Sequence, residues 1–492
     1  MVRNVKYSLH AWVVKATKVC FMISISLLQG NSQRVTVSEE LPIRNDISYE
    51  LLGLLDDRVL LYRDRGNEHI LEVFSDDMKF LYERELHLDS KRSDVHGIVK
   101  KDDHFILFSS FREKGLYTLA VHKFDKEGDP LDTAYIIDAE EEFKSKTFTF
   151  CTSDDKSKTM FYAGTNDKLF HLFVVDNDSL SLLWRQDILV ADFDVRRDFQ
   201  HAFITNQGEA NVLFYDEGKE SEKEEPQFML IGASASGDVY MNQFIVDKKY
   251  VVDVECRYDN KNNSFIIAGL ASDEREFDAD AYFFLSKKLT ALQEVNTVGH
   301  RNFDATFIEE VYGKKLGRKK RLDDFVTRDV IVRNDGGIIL VTEMEKEFYR
   351  RSSFNSIGRN TETYGRGWVD IYTEDIILVA INPDGTEDWK KILYKKQFSQ
   401  DDGGVFSSFF IFKNPSRLRL IYNDEIKNNI TVSEYVLNPL GKHERNSLLS
   451  TQYQNLKIRW RHGVQISPSA MIAPSEQNFK LSLVKVDYSA NS

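Results

Sequence analysis

Residues 94–137 read DVHGIVKKDDHFILFSSFREKGLYTLAVHKFDKEGDPLDTAYII. Four apolar runs lie within this stretch, at residues 94–100, 104–111, 116–124 and 130–137. The runs are rich in β-branched and aromatic residues, and clusters of Asp, Gly and Lys separate them, as is typical of short strands joined by tight turns. Because tight turns reverse the chain, neighbouring strands must be antiparallel. The stretch therefore predicts a four-stranded antiparallel unit.

The same unit recurs about eight times along the chain. In each copy an apolar third strand ends at a polar residue that opens a turn, and these residues are Ser75, Asp125, Asp176, Ser236, Ser286, Asn382, Asn438 and Asp487. Repeats of about 40–50 residues that contain only strands are the signature of a β-propeller. We therefore predict an all-β fold, a propeller of eight four-stranded blades. Seven blades would follow if the fourth or the eighth unit were misassigned.

The last unit lacks a strand. Its third strand ends at Asp487, and the sequence ends at Ser492, so no fourth strand follows. At the other end of the chain, residues 34–41 (RVTVSEEL) alternate apolar and polar side chains like a strand. We predict that this N-terminal strand completes the last blade and closes the ring, because an open edge strand would promote aggregation.

Two steps between turn-openers are longer than the others. The step from Asp176 to Ser236 includes an acidic stretch at residues 216–225, and the step from Ser286 to Asn382 includes two insertions, at residues 301–323 and 346–373. Without these insertions the second step would be a normal blade of about 45 residues. We therefore predict one propeller domain over residues 33–492, with two insertions.

The first 32 residues resemble an export signal. Arg3, Lys6, Lys15 and Lys18 supply positive charge, and residues 19–28 form an apolar run that is too short to span a bilayer. Small residues near Asn31 fit cleavage before Gln33. We expect export to the periplasm or the medium, with no membrane span after cleavage. An uncleaved anchor, or translation from Met22, are the alternatives.

The charge of the chain restricts its partners. The net charge is −13, and it would become −17 after loss of residues 1–32, which hold four Lys/Arg and no Asp or Glu. An acidic chain repels phosphate backbones, so we expect no nucleic-acid partner. We expect a monomer whose partner is a protein or an envelope glycan.

Cysteines and catalytic motifs are sparse. Cys151 and Cys256 remain after signal cleavage, and they fall in first strands of different blades. A disulfide needs Cα atoms within about 7 Å, so we expect two free buried thiols. The sequence has no HExxH, P-loop, Cys-x-x-Cys or Gly-x-Ser-x-Gly motif. These features favour a non-catalytic protein.

A basic run, KKLGRKKR at residues 314–321, stands out in this acidic chain. It follows a predicted helix, for which Thr306 and Glu309 would form a capping box and Gly317 would be the C-cap. The run could bind an anionic partner. The simpler interpretation is a solvated helix end whose cations oppose the helix dipole.

The second insertion resembles a recognition loop. It reads YRRSSFN at residues 349–355 and continues to YGRGW at residues 364–368. Arginine and aromatic side chains dominate binding energy at protein interfaces, and Ser, Asn and Gly add adaptable donors. The candidate binding residues are Arg350, Arg351, Tyr364, Arg366 and Trp368. The alternative is a flap that only covers the propeller face.

Carboxylates and amides cluster around blade seven. Gln397, Asp401 and Asp402 precede its first strand, and Asn423 and Asp424 end its second strand. Such oxygens could bind Ca²⁺ or act as acid and base. The alternative is a set of turns in which Asp side chains accept backbone N–H groups. We expect no cofactor other than Ca²⁺.

One block of the chain resembles a known family. The block includes DGGIILVTE at residues 335–343, EDWKKI at residues 387–392, DDGG at residues 401–404 and LIYND at residues 420–424. It is similar to a block of uncharacterised exported bacterial propeller-like proteins, and the similarity covers residues 303–430. The resemblance implies export and a propeller fold. It also singles out Glu343, Gln397, Asp401, Asp402, Asn423 and Asp424 as ligand-binding candidates.

Together these features predict an exported, non-catalytic binding or scaffold propeller that recognises a protein or a cell-envelope component. The alternative is a carbohydrate-active hydrolase or lyase, in which Glu343, Asp401 or Asp402 would act as acid and base at an axial site.

Overall fold

The computed structural model describes residues 33–489 apart from residues 91, 114–115, 140–148, 165–167, 191–192, 196, 219–225, 276–277, 318–320, 351–367, 425, 427–430 and 450–455. The predicted signal peptide, residues 1–32, lies outside the described residues. The described chain forms eight β-sheets, antiparallel except for one parallel pair, and one α-helix. None of the helical segments in the described ranges is long and apolar enough to cross a bilayer.

The strands follow the predicted repeat. The chain begins with β1 (Arg34–Val37) and β2 (Leu41–Pro42). Blade one contains β3 (Ser48–Leu55), β4 (Arg58–Asp64), β5 (His69–Ser75) and β6 (Phe80–Glu85). Blade two contains β7 (Asp94–Lys100), β8 (Phe105–Glu113), β9 (Leu116–Phe124) and β10 (Pro130–Ala139). Blade three contains β11 (Thr149–Thr152), β12 (Lys158–Gly164), β13 (Leu169–Asp176) and β14 (Ser181–Leu189).

One strand from the blade five segment of the chain adds to blade four. Blade four contains β15 (Phe199–Ile204), β16 (Ala210–Asp216), β17 (Gln227–Ala233) and β18 (Val239–Val246). Blade five contains β19 (Tyr250–Asp259), β20 (Ser264–Ser272), β21 (Ala281–Lys288) and β23 (His300–Asn302). A 3-10 turn (Leu289–Ala291) follows β21, and β22 (Val295–Val298) then adds to the outer edge of blade four, parallel to β18.

The remaining blades complete the ring. Blade six contains β24 (Phe325–Val332), β25 (Ile338–Arg350), β26 (Trp368–Ile381) and β27 (Glu387–Leu393), and β28 (Gln397–Gln400) also pairs with β26. Blade seven contains β29 (Phe409–Asn414), β30 (Arg417–Asn423), β31 (Val432–Leu437) and β32 (His443–Ser447). Blade eight contains β33 (Val464–Gln465), β34 (Ala470–Gln477) and β35 (Lys480–Asp487), and a 3-10 turn (Trp460–His462) precedes it.

The N-terminal strand closes the ring, as predicted. β1 pairs with β35 in antiparallel register from Arg34 opposite Asp487 to Val37 opposite Val484, so it is the outermost strand of blade eight. First strands of neighbouring blades contact one another, including β33 with β3, and therefore surround the axis. The count of eight blades is confirmed, and the seven-blade alternative is wrong.

Apolar side chains fill the spaces between blades. The middle strands of each blade are buried on both faces because neighbouring blades cover them. Between blades two and three, for example, Phe108, Phe161 and Phe173 belong to one buried cluster, and the rings of Phe108 and Phe161 meet edge to face at 5.0 Å. Each buried side chain of this kind stabilises the fold by about 1.5–3 kcal/mol.

The insertion after blade five contains the α-helix, α1 (Ala305–Tyr312). Phe307, Ile308 and Val311 on this helix pack into the cluster between blades five and six. The helix begins after Asp304 and ends at Gly313, whose φ is +60°. The predicted capping box and the predicted C-cap at Gly317 are therefore wrong, because packing of the apolar face places the helix one turn earlier.

The insertion in blade six extends the sheet. β25 and β26 have 13 and 14 residues, and their pairing continues to Arg350 opposite Trp368. Residues 351–367, which join them, are not described.

The prediction of two free thiols, Cys151 and Cys256, is confirmed. Cys256 is buried, as predicted, whereas Cys151 is only half-buried.

A buried arginine ties the N-terminal segment to blade one. The Arg63 side chain is 2% exposed, and its Nε donates to Asp46 at 2.6 Å. Its guanidinium also donates to Glu72 and to the carbonyl of Pro42. Asp46 and Pro42 belong to the segment that follows β1, so Arg63 fixes the closing strand to the next blade.

We therefore expect Arg63→Met to lower the free energy of unfolding by about 3–5 kcal/mol, because two buried carboxylates lose their counter-ion. Arg65→Met is the matched control, since Arg65 makes ion pairs of 3.5 Å or longer with Asp46, Glu68 and Glu83. It should cost less than about 1 kcal/mol. Urea unfolding followed by circular dichroism measures both, and equal losses would contradict the role of Arg63.

Candidate functional site

The strand order places most of the long connections on one face. In a four-stranded antiparallel blade, the connection between strands two and three and the exit to the next blade leave from the same end. Helix α1, the extended hairpin of blade six and β28 therefore lie on one face, which we call the long-loop face. The opposite face carries the tight turns between strands one and two and between strands three and four, and we call it the short-turn face.

The hairpin of blade six extends beyond its blade on the long-loop face. We call residues 345–350, 368–373 and 397–400 the blade six arm. β28 pairs with β26 from Asp370 opposite Gln400 to Thr373 opposite Gln397, so the arm is three strands wide. The Tyr372 ring contacts Phe348 at 5.7 Å and Phe398 at 4.9 Å. These contacts make the base of the arm a packed structure.

Aromatic side chains on the arm are open to solvent. Tyr349 is 76% exposed, Phe348 is 45% exposed and Trp368 is 39% exposed. Phe348 and Trp368 lie on one face of the arm and Tyr349 lies on the other, because side chains alternate along a strand. Large exposed aromatic groups are typical of interaction surfaces. Arg350 lies at the end of β25, opposite Trp368. Arg351, Tyr364 and Arg366 lie outside the described residues, so the recognition loop stays a prediction.

Glu343 lies in the interior below the arm. It is fully buried, and its carboxylate accepts hydrogen bonds from Arg328 Nε at 2.6 Å and Ser408 Oγ at 2.7 Å. Lys395 Nζ, also buried, lies 2.7 Å from its other oxygen. Burial alone would raise the pKa of Glu343, but Lys395, Arg328 and Ser408 together hold this pKa below its usual value.

Gln397 and Asn423 continue the same buried network. Gln397 Oε1 accepts hydrogen bonds from Lys395 Nζ, Thr373 Oγ1 and the Ser408 backbone N–H, and its Nε2 donates to the carbonyl of Asn423 at 2.7 Å. Asn423 Oδ1 accepts from Trp460 Nε1 at 3.0 Å. The network thus joins blade six to blade seven and to the connection that enters blade eight. The side chains of three candidate residues, Glu343, Gln397 and Asn423, thus form ion pairs or hydrogen bonds within the protein.

Asp401 and Asp402 form the turn at the end of β28. The Asp401 backbone has a φ of +55°, and its side chain accepts a hydrogen bond from the Val369 N–H at 2.8 Å. Asp402 accepts one from the Gly404 N–H at 2.9 Å. No three His, Cys, Asp or Glu side chains in the described ranges converge as metal ligands would. The geometry fits the turn interpretation, and Ca²⁺ binding stays a prediction.

Asp424 borders a cavity on the long-loop face. The cavity has a volume of about 560 Å³ and is lined by Glu374, Asp375, Tyr394, Lys395, Lys396, Asp424, Thr431 and Arg445. Asp424 forms an ion pair with Arg445 at 2.5 Å and accepts a hydrogen bond from Ser433. Burial raises the pKa of Asp375 at its wall. The cavity adjoins the base of the arm and carries charges of both signs.

Sequence reasoning did not identify the residues that shape this region. The sequence predicts a recognition loop in the second insertion, whereas β25 and β26 extend into it. Phe348, Tyr372 and Phe398 are therefore not among the predicted binding residues. Lys395 was missed because a single lysine has no pattern that marks it as buried. The run WVDIYT at residues 368–373, rich in aromatic and β-branched residues, was the available signal for the longer strand.

Comparisons with known proteins add little to this geometry. No protein-family model matches the chain, and no curated protein matches it at a significant level. Among solved structures, the chain is similar to the Dos1 propeller at 8% identity with a TM-score of 0.44, over 92% of this chain and 94% of that one. It is also similar to the β-propeller domain of Nup133 from Vanderwaltozyma polyspora at 9% identity with a TM-score of 0.40, over 94% and 99% of the two chains.

A third similar structure is dipeptidyl peptidase 4 from Porphyromonas gingivalis, at 9% identity with a TM-score of 0.41, over 87% of this chain and 56% of that one. These likenesses are too distant to transfer a function. The resemblance to exported bacterial propeller-like proteins stays an expectation.

The buried network predicts a specific mutational result. Glu343→Gln should lower the free energy of unfolding by about 3–5 kcal/mol, because Lys395 and Arg328 lose a buried counter-ion. The double variant Glu343→Leu/Lys395→Met removes both charges of the fully buried pair, so it should lose less than Glu343→Gln. Urea unfolding of Glu343→Gln, of Lys395→Met and of the double variant tests this. Additive losses in the double variant would contradict a coupled buried pair.

Proposed function

We propose that this protein is an exported, non-catalytic binding propeller, acting as a monomer, that recognises a protein or a cell-envelope component on its long-loop face. The observation that carries the proposal is the blade six arm with Phe348, Tyr349 and Trp368 exposed on it. Among the possible partners we favour a protein, because exposed Trp and Tyr side chains are among the anchors that protein interfaces use.

The support beneath the arm fits this proposal. Binding is strongest when the binding groups are already held in place, since less conformational entropy is lost on association. Tyr372 and Phe398 pack the base of the arm, and the network around Glu343 and Gln397 lies directly below it. The buried residues singled out by the sequence would thus serve recognition indirectly, by fixing the arm.

The alternative of a carbohydrate-active enzyme has no geometric support among the described residues. A glycoside hydrolase of the common type needs two carboxyl groups facing one cleft. Glu343 is fully buried and ion-paired, whereas Asp401 and Asp402 accept backbone N–H groups in a turn. The arrangement of these three carboxylates therefore favours the binding function over hydrolysis.

The test uses the mature chain as bait in an envelope extract of the source cells, with quantitative mass spectrometry of the captured proteins. Tyr349→Ala/Trp368→Ala should lose at least about tenfold of the captured partner, because two anchors are removed. Tyr135→Ala is the control, since Tyr135 is 59% exposed and lies on β10 of blade two, four blades away from the arm of blade six. The proposal fails if all three baits capture the same proteins in equal amounts.

A further inference from the structure

A second groove lies on the short-turn face, between blades six and seven. It has a volume of about 440 Å³. Its floor and walls are mainly apolar, and they include Ile331, Ile339, Trp389, Pro415, Leu418, Leu437 and Pro439. The arm and the cavity beside Asp424 are on the opposite face, so this groove is not part of the site described above.

The groove runs outward from the axis. Ile331 and Lys413 lie on the first strands of the two blades, whereas Trp389 lies on the fourth strand of blade six. Four neighbouring strands span three spacings of about 4.8 Å, or about 14 Å, and an extended chain rises about 3.4 Å per residue. The groove is therefore long enough for about four residues of extended polypeptide.

The outer end of the groove is a built structure. Trp389 Nε1 donates a hydrogen bond to the carbonyl of Pro439 in blade seven at 3.1 Å. The indole lies so close to the next turn that a Cβ on Gly441 would come within 2.6 Å of it. Trp389 thus bridges the two blades and forms a fixed apolar wall.

The polar groups of the groove are mostly donors. Arg333, Lys413 and Arg417 line it, against the single carboxylate of Asp335, in a chain whose net charge is −13. Arg333 and Lys413 also pair with acidic neighbours. The exposed guanidinium of Arg417 has no ion pair or hydrogen bond within the described chain.

Two amides add further donors. Asn414 Oδ1 accepts the Arg417 N–H at 2.7 Å, and Asn438 Oδ1 accepts the Lys442 N–H at 3.0 Å, which orients both side chains. Their Nδ2 atoms have no acceptor among the described residues. An occupant that supplies acceptors, as backbone carbonyls and carboxylates do, would match these donors.

We propose that this groove binds an extended segment of another protein, about four residues long, in which a large apolar side chain stands beside a carboxylate. The apolar side chain packs against Trp389 and Leu418, and the carboxylate pairs with Arg417. The inference goes beyond the proposed function, because it gives the ring a second binding face. A propeller with both faces occupied would hold two partners on opposite sides.

The test selects peptides from a library in which four central positions are randomised among Asp, Glu, Lys, Leu, Phe, Tyr and Gly. The full mature chain should enrich sequences that place Asp or Glu next to Leu, Phe or Tyr. Fluorescence anisotropy of the best labelled peptide then gives Kd for wild type and for two variants. Binding should weaken with added salt, because it depends on an ion pair at the surface.

Arg417→Glu should raise this Kd at least about tenfold. Arg44→Glu is the matched control: Arg44 is exposed, has no partner in the described chain, and precedes blade one on the long-loop face, and its variant should stay within about twofold. Hydrogen exchange should show peptide protection at residues 331–335 and 413–418. Equal melting temperatures confirm that both variants are folded.

Three results would overturn the proposal. The first is no enrichment of acidic-apolar sequences, and the second is an unchanged Kd in Arg417→Glu. The third is concentration-dependent dimerisation that Arg417→Glu abolishes, which would assign the groove to a second copy of this chain. Because the arm variants Tyr349→Ala and Trp368→Ala should leave peptide binding unchanged, failure here is distinct from failure of the proposed function.

Discussion

The pairing of β1 with β35 is the interaction on which the rest of the structure depends. Without it, blade eight would present an unpaired edge of buried, apolar strands, and the ring would be joined only by side-chain packing. The pairing joins the two ends of the sequence, and Arg63 extends it by fixing the following segment to blade one. Once the ring is closed, every blade has two neighbours, so every middle strand is buried on both faces.

Closure also creates two chemically different faces. Antiparallel blades send long connections to one face and tight turns to the other, which is why the helix, the arm and the cavity beside Asp424 are found together. The arm, the cavity beside Asp424 and the groove beside Trp389 all lie on blades six and seven. Their shared interior holds the charged network around Glu343, which fixes the arm above it, and their opposite edges form the groove beside Trp389.

The fold could be predicted from the sequence because its evidence is local. Turn-openers such as Asp125 and Asn382 mark each third strand, and the missing strand after Asp487 matches the spare strand at Arg34. The site could not be predicted in the same way. Glu343 and Gln397 have the residue types of a ligand site, but their partners, Lys395 and Ser408, are distant in sequence or carry no pattern. Burial of a polar side chain depends on such distant contacts, and a sequence shows only which residues are polar.

An engineered disulfide between Val35→Cys and Val486→Cys tests the closed ring most directly. Ser38 and Leu483 form a hydrogen-bonded pair of this ladder, so Val35 and Val486, three positions away, form a closer, non-hydrogen-bonded pair suited to a disulfide. The account predicts that air oxidation of the folded protein links the two positions almost completely, as seen by peptide mapping. Free thiols at both positions in the folded protein would contradict closure by the N-terminal strand.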